Sequence, residues 1–171
     1  MRTNRTGPFS GVKIKPLSEL KKIIRKLKSG QKKIVFTNGC FDLLHYGHVK
    51  YLEDAKNQGD ILVVAVNSDA SIKRIKGKAR PILAQKDRLG IIAALESADY
   101  VVLFNADTPI KLIKALKPDV LVKGSDWDTK MIVGADFVLS YGGKVETVKL
   151  IAGRSTSGLI RKIAQSLSNT N

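Results

Sequence analysis

The chain has a single cysteine, Cys40, in 171 residues. One thiol excludes an internal disulfide framework and suits a reducing compartment. Long apolar runs are also missing. The longest, Ile61-Leu62-Val63-Val64-Ala65-Val66, falls far short of the roughly 20 residues that a bilayer-spanning helix needs. The basic start Met1-Arg2-Thr3-Asn4-Arg5-Thr6 leads into no apolar segment, so no secretory signal is read there. These absences predict a cytoplasmic protein without a membrane partner. Aromatic residues make up only 6% of the chain, and no alternation of Lys or Arg with aromatics offers a stacking platform for single-stranded bases. Acidic residues are few: 15 Asp and Glu stand against 30 Lys and Arg, a net charge of +15. Such an excess suits a nucleic-acid surface, a pocket for polyanionic small molecules, or a lysine-rich solvated exterior. The basic residues are spread along the chain and not gathered in one tail, which favours the exterior first and small anions second. Nucleic acid is not expected as a partner. A basic nucleic-acid-binding domain without catalysis is the most distant reading.

What is present is an ordinary apolar content, 43%, in a length that suits one domain with one core. Residues 1–11 are aperiodic, and Leu20, Ile23, Ile24 and Leu27 then form one helical stripe ending at Gly30. Residues 1–30 therefore read as an N-terminal arm and helix, and residues 31–171 as the main domain. Ile34–Thr37 is a short buried strand, 38–42 a loop, and a helix from Leu44 or His45 to Asn57 turns Val49, Leu52 and Ala55 inward. A second strand follows at Ile61–Val66, which makes a strand-helix-strand unit with a right-handed crossover. The alternation continues with a helix over 87–95 and a strand over 100–104. Thr108 and Pro109 then start a helix to about Leu116 as its N-cap and first residue. A strand at 120–122, another at 144–150 and a helix over 156–167 complete it. The predicted fold is α/β, a Rossmann-like doubly wound parallel sheet in a single domain.

In such sheets ligands bind beyond the carboxyl ends of the strands. Three polar clusters fall there: residues 38–48 after the first strand, Asn67-Ser68-Asp69 with Lys73, Lys76, Gly77 and Arg80 after the second, and residues 123–127 after the fourth. In the first, Gly39 permits close approach of backbone, and the following helix start offers free N–H groups to an anion. His45 and His48, the only histidines, lie three apart and share a helix face; Gly47 between them removes a side chain. Imidazole donors there can stabilise charge on a phosphoryl group. A metal pair more often uses a spacing of four with a further ligand, so no protein metal site is expected. Lys76 and Arg80 are candidates to grip phosphates, with Arg88 on the next helix a weaker one. Cys40 lacks a spare histidine to activate it and is no nucleophile.

Gly39-Cys40-Phe41-Asp42-Leu43-Leu44-His45-Tyr46-Gly47-His48 resembles the G-x-F-D-x-x-H-x-G-H signature of the cytidylyltransferase-like nucleotidyltransferases. The resemblance implies that His45 and His48 are catalytic and contact a triphosphate. It implies a nucleotide site built from Asn38, Gly39, Cys40, Phe41, Gly47, Lys123, Gly124, Asp126, Ser155, Thr156 and Ser157, with Asp42 shaping the turn. The later segments Asn67-Ser68-Asp69, Lys76-Gly77, Arg80-Pro81, Asp107-Thr108-Pro109 and Ser155-Thr156-Ser157 are similar to the adenylyltransferase half of the bacterial heptose enzymes. That resemblance covers roughly residues 31–163. It implies ATP and a sugar 1-phosphate as substrates, Mg²⁺ as cofactor, and a homo-oligomer. In many bacteria this half is fused to a sugar kinase; 171 residues leave no room for one, so a stand-alone form is expected. Asp126-Trp127 is instead similar to glycerol-3-phosphate cytidylyltransferases, the alternative reading.

Overall fold

A computed structural model describes residues 10–125 and 131–169. In chain order the elements are α1 (Ser10–Lys13), α2 (Leu17–Ser29), β1 (Ile34–Gly39), α3 (Tyr46–Lys56), β2 (Ile61–Asn67), α4 (Asp69–Lys76) and α5 (Gln85–Ala94). They continue with β3 (Tyr100–Phe104), α6 (Ile110–Leu116), β4 (Val120–Gly124), α7 (Ala135–Ser140), β5 (Lys144–Val148) and α8 (Thr156–Ser168). The five strands form one sheet in the order β3-β2-β1-β4-β5, and every pairing is parallel. Chain direction across the sheet reverses between β1 and β4, which opens a crevice at their carboxyl ends. The predicted doubly wound parallel sheet is the fold observed.

Successive strand residues point to opposite faces, and helices cover both, so the inner strands are largely apolar, whereas the edge strand β5 (Lys144–Val148) is mostly exposed. On one face Val35, Leu62, Val64, Val101 and Val122 pack with Tyr51, Leu52 and Ala55 of α3 and Leu89, Ile92 and Ala93 of α5. On the other, Ile34, Phe36, Val63, Val102 and Leu121 pack with Leu20 and Ile24 of α2, with α6, and with Val138 of α7. Ile14 bridges Val101 in parallel, and the Lys15 N–H donates to the Val101 carbonyl at 2.9 Å, so this segment covers the outer edge of β3. Among the described residues no helix is long and apolar enough to cross a membrane.

Carboxylates tie down the amino ends of the strands. Asp119 Oδ2 accepts the Ile34 N–H at 2.8 Å, Asp60 Oδ2 the Lys33 N–H at 2.7 Å, and Asp99 Oδ2 the Leu62 N–H at 2.7 Å. Lys28 and Lys56 neutralise Asp119 and Asp99.

Three local readings change. Residues 69–76 form a helix capped by Ser68, whose Oγ accepts the Ser71 N–H, so Lys76 lies at a helix end. A helix at 135–140 was not expected at all. Pro109 is itself the N-cap of α6, one residue later than predicted, with φ −81° and ψ 7°.

Candidate active site

β1 delivers the chain to the carboxyl edge, and the next residues turn sharply back. Phe41 and Leu43 both take left-handed backbone, φ 49° and 45°, on either side of Asp42. This turn drives the Asp42 carboxylate inward, where it is 1% exposed. It accepts the Ile82 N–H at 2.9 Å, the Leu83 N–H at 2.9 Å and Arg80 Nε at 2.8 Å. Burial alone would raise its pKa; the N–H groups of Leu83 and Ile82, with Arg80, outweigh burial and lower it. Asp42 thus pins the loop before α5 against the loop after β1.

Phe41 folds beneath Gly39: a Cβ there would lie 3.1 Å from the Phe41 ring. Gly39 therefore makes room for a protein side chain, where the sequence suggested room for a ligand. The Phe41 ring meets His48 edge-on, with centroids 5.6 Å apart. His45 is the N-cap of α3, in extended conformation (φ −136°, ψ 168°), just outside the helix that the spacing argument placed it in. Its ring nevertheless stacks on His48, with centroids 4.0 Å apart and planes 23° from parallel. Gly47 permits this, because a Cβ there would meet the His45 ring at 3.0 Å.

Nδ1 of His45 and Nδ1 of His48 are both buried without a hydrogen-bond partner. Buried polar atoms in a folded protein are nearly always paired, so two orphans on adjacent rings single this loop out as the candidate site. Burial, then the neighbouring His45, lowers the His48 pKa to about 4, with Asp42 opposing. Burial and the charge of Arg154 lower that of His45. Both shifts favour the neutral imidazole.

The other expected residues divide into two groups. Lys123 Nζ donates to Asn38 Oδ1 at 2.6 Å and joins the ends of β4 and β1. Thr156 Oγ1 donates to the Asp42 carbonyl at 2.7 Å and draws the start of α8 onto the histidine loop. Ser155 caps α8 by accepting the Gly158 N–H at 3.1 Å, and Ser157 is exposed in its first turn. Gly124 ends β4, buried. Asp126, with Trp127, lies outside the described residues. Lys76 is exposed beside Cys40, whose thiol pKa burial raises against the pull of Lys76, Arg88 and Arg80.

Arg80 and Arg88 both have protein partners. Arg80 is paired with Asp42. Arg88 is 1% exposed and donates to the carbonyls of Leu83, Cys40 and Asn67 and to Asp69 Oδ1. The reading of Arg88 as a phosphate ligand is therefore corrected: its donors are spent on holding three loops together. One residue that the sequence reading passed over is Arg154, whose Cβ packs against Gly47 beside His45.

Residues 36–162 match the cytidylyltransferase-like family. The chain belongs to that family. It is 56% identical over 154 residues to the bifunctional protein HldE of Geobacter metallireducens, which covers 90% of this chain and 31% of that protein. It is 52% identical over 151 residues to the HldE of Campylobacter concisus, covering 88% of this chain and 31% of that protein. The chain thus spans about a third of the length of these curated relatives. A lipopolysaccharide core biosynthesis protein from Thermoplasma volcanium GSS1 shares 32% identity at a TM-score of 0.56, covering 70% of this chain and 97% of that one. A pantoate-beta-alanine ligase from Francisella tularensis, at 17% identity and a TM-score of 0.62, covers 86% of this chain and 69% of its own and shares the fold. The family match begins inside β1 and takes in the histidine loop, Asp42, Arg88, Lys123 and Ser155–Ser157.

Proposed function

We propose that the chain transfers AMP from ATP to D-glycero-β-D-manno-heptose 1-phosphate, giving ADP-heptose and pyrophosphate for heptose-containing glycoconjugates such as the lipopolysaccharide core. The observation that carries the phosphoryl chemistry is the stacked histidine pair with its two unpartnered buried nitrogens at the carboxyl edge of β1. The similarity to HldE proteins and to a lipopolysaccharide core biosynthesis protein supports the choice of sugar phosphate.

A phosphate oxygen of the sugar attacks the α-phosphorus of ATP; the bond from that phosphorus to the bridging oxygen breaks, and pyrophosphate leaves with the electron pair. The attacking phosphate is already anionic at neutral pH, so no general base is required. His45 and His48 stabilise charge on the phosphoryl oxygens, while Lys123, Asn38 and Thr156 keep the surrounding loops in register. Among the described residues no three His, Cys, Asp or Glu side chains converge on a metal position, and Asp42 is already occupied by donors. Mg²⁺, when bound, would be carried by the triphosphate oxygens and would neutralise part of their charge.

The test is pyrophosphate release with ATP or CTP, and with β-heptose 1-phosphate or glycerol 3-phosphate, for the wild type and His48→Ala. Turnover is expected with ATP and heptose 1-phosphate, falling roughly 10²- to 10³-fold in the variant. Preference for CTP and glycerol 3-phosphate would overturn the substrate assignment. Near-normal turnover of the variant would overturn the role of His48.

A further inference from the structure

β1 and β4 stand side by side where chain direction across the sheet reverses, yet their ladder is short. It pairs Val35 with Val120 and Phe36 with Leu121, and there it ends. On the other side of β1 the ladder with β2 runs on to Gly39 and Val66. From Thr37 and Val122 onwards the backbones of β1 and β4 no longer pair, so the crevice at their carboxyl ends begins at those two residues.

Side chains bridge the gap that the backbones leave. The Tyr51 hydroxyl donates to the Val122 carbonyl at 3.2 Å and lies 2.6 Å from Thr37 Oγ1. A phenol has one proton, spent here on Val122, so Thr37 is the donor in the second bond. One step nearer the opening, Lys123 Nζ reaches Asn38 Oδ1 at 2.6 Å. Thr37 is fully buried and Tyr51 is nearly so. A buried phenol usually finds a partner, so the bonds alone would signify only a satisfied core residue. What sets them apart is where they end: on the two strands that separate, at the first step after separation.

Tyr51 also shares its helix face with the site. His48, Tyr51, Leu52 and Ala55 follow one stripe of α3. Leu52 and Ala55 pack into the apolar core on this side of the sheet. Apolar packing is non-directional and would tolerate a small slide or roll of the helix. A hydroxyl held between two strands would not, because hydrogen bonds weaken steeply away from their preferred distance and angle. This anchor lies one turn from His48, and the His48 ring carries the stacked ring of His45. A shift at Tyr51 therefore moves both rings against the crevice.

We propose that Tyr51, held by Thr37 and Val122, is a positioning residue that fixes the height of the two histidines over the split between β1 and β4. This rests on reading the histidine pair as the site of nucleotidyl transfer.

The experiment uses Tyr51→Phe, which keeps the ring and removes the hydroxyl, with Thr37→Val and Thr37→Ser as independent probes of the same chain of bonds. Pyrophosphate release from ATP with β-heptose 1-phosphate gives kcat and KM, and urea unfolding shows that each variant is folded under the assay conditions. In Tyr51→Phe and Thr37→Val kcat falls roughly 10- to 100-fold with KM within about twofold, because the groups that meet the transition state are displaced. Thr37→Ser keeps the hydroxyl and stays close to the wild type. The double variant Tyr51→Phe with Thr37→Val loses no more than either alone, since both break one chain. In NMR spectra of the free proteins the ring signals of His45 and His48 move in Tyr51→Phe and stay in place in Thr37→Ser. A residue needed only for stability would lower the urea midpoint and leave kcat and both histidine signals unchanged, an outcome that overturns the proposal. Equal losses of kcat in Thr37→Ser and Thr37→Val would overturn it too. Should Tyr51→Phe not fold, the two Thr37 variants decide the matter by the same readouts. A wild type that releases no pyrophosphate from ATP or CTP would sink the nucleotidyl-transfer reading and this proposal together. Normal wild-type turnover beside an unaffected Tyr51→Phe would sink this proposal alone.

Discussion

Replacing Arg88 with methionine separates the two roles that an arginine near a phosphate site can play. Arg88 is 1% exposed; its Nε reaches the Leu83 carbonyl at 3.0 Å and Nη1 the Cys40 carbonyl at 2.6 Å. Nη2 serves the Asn67 carbonyl and Asp69 Oδ1, both at 2.8 Å. Methionine fills most of the volume but leaves three carbonyls and a carboxylate without their donor. Breaking a buried ion pair from one side costs about 3–5 kcal/mol. The Asp69 side chain is 33% exposed and can be rehydrated, which places the expected loss at the lower end, about 3 kcal/mol. With a urea dependence near 2 kcal/mol per M, the unfolding midpoint should fall by about 1.5 M. Arg88→Lys should recover less than half of that, because one ammonium cannot span four acceptors facing a planar fork. Urea unfolding followed by circular dichroism measures this directly, and turnover is then assayed below the transition. A native midpoint combined with a raised KM for either substrate would refute the argument, since it would mean that Arg88 reaches substrate and not the protein.

Two other perturbations probe the histidine floor. Gly47→Ala places a methyl 3.0 Å from the His45 ring in the first turn of α3, a position where alanine is intrinsically the better helix former. Turnover should fall roughly 10- to 100-fold through displacement of the ring, with the urea midpoint nearly unchanged; unaltered turnover would show that the stack is not needed. His48 titrates at about 4 when folded, against an ordinary 6.5, so the unfolded chain takes the proton first as pH falls. Its contribution is complete above about pH 6.5 and is lost towards pH 4, worth at most about 3 kcal/mol. Urea midpoints at pH 7.5 and pH 5 should converge in His48→Gln relative to the wild type, and an NMR titration of His48 near 6.5 would contradict the burial argument.

The strands were legible because a parallel sheet covered on both faces demands uninterrupted apolar runs, and 61–66 and 100–104 supply them. α4 escaped notice for the converse reason. It buries only Ser71 and Ile72, and its capping residue Ser68 sits in a polar cluster that looks like a loop. His45 and His48 could be found because their spacing belongs to a long signature. Arg88 was misread because sequence gives no means of telling whether a helical arginine faces a pocket or the carbonyls beneath it. Asp42 acts on Arg80, Ile82 and Leu83, some 40 positions away, and only the crossing of β1 and the loop before α5 brings them together. Arg154 left no trace beyond its place before a serine cap.

The charge of +15 takes on meaning only through its placement across the sheet. At the amino edge Asp60, Asp99 and Asp119 face backbone N–H groups at the strand starts, and lysines close each of them. At the carboxyl edge, among the described residues, Asp42 and Asp69 are paired with Arg80 and Arg88. What remains beside the loop is Lys76 and Arg154, neither with a carboxylate partner among the described residues, and two imidazoles kept neutral by burial. Removing acids from that edge would by itself create only diffuse positive potential. Spending the two remaining acids on structural arginines does more. The arginines stiffen the loops and their own charge is cancelled, which leaves Lys76 and Arg154 as the charged groups beside the histidine loop. Bulk charge, spread over helix faces, then contributes to encounter with an anionic substrate. Chemistry depends on the few groups for which the fold has provided no partner.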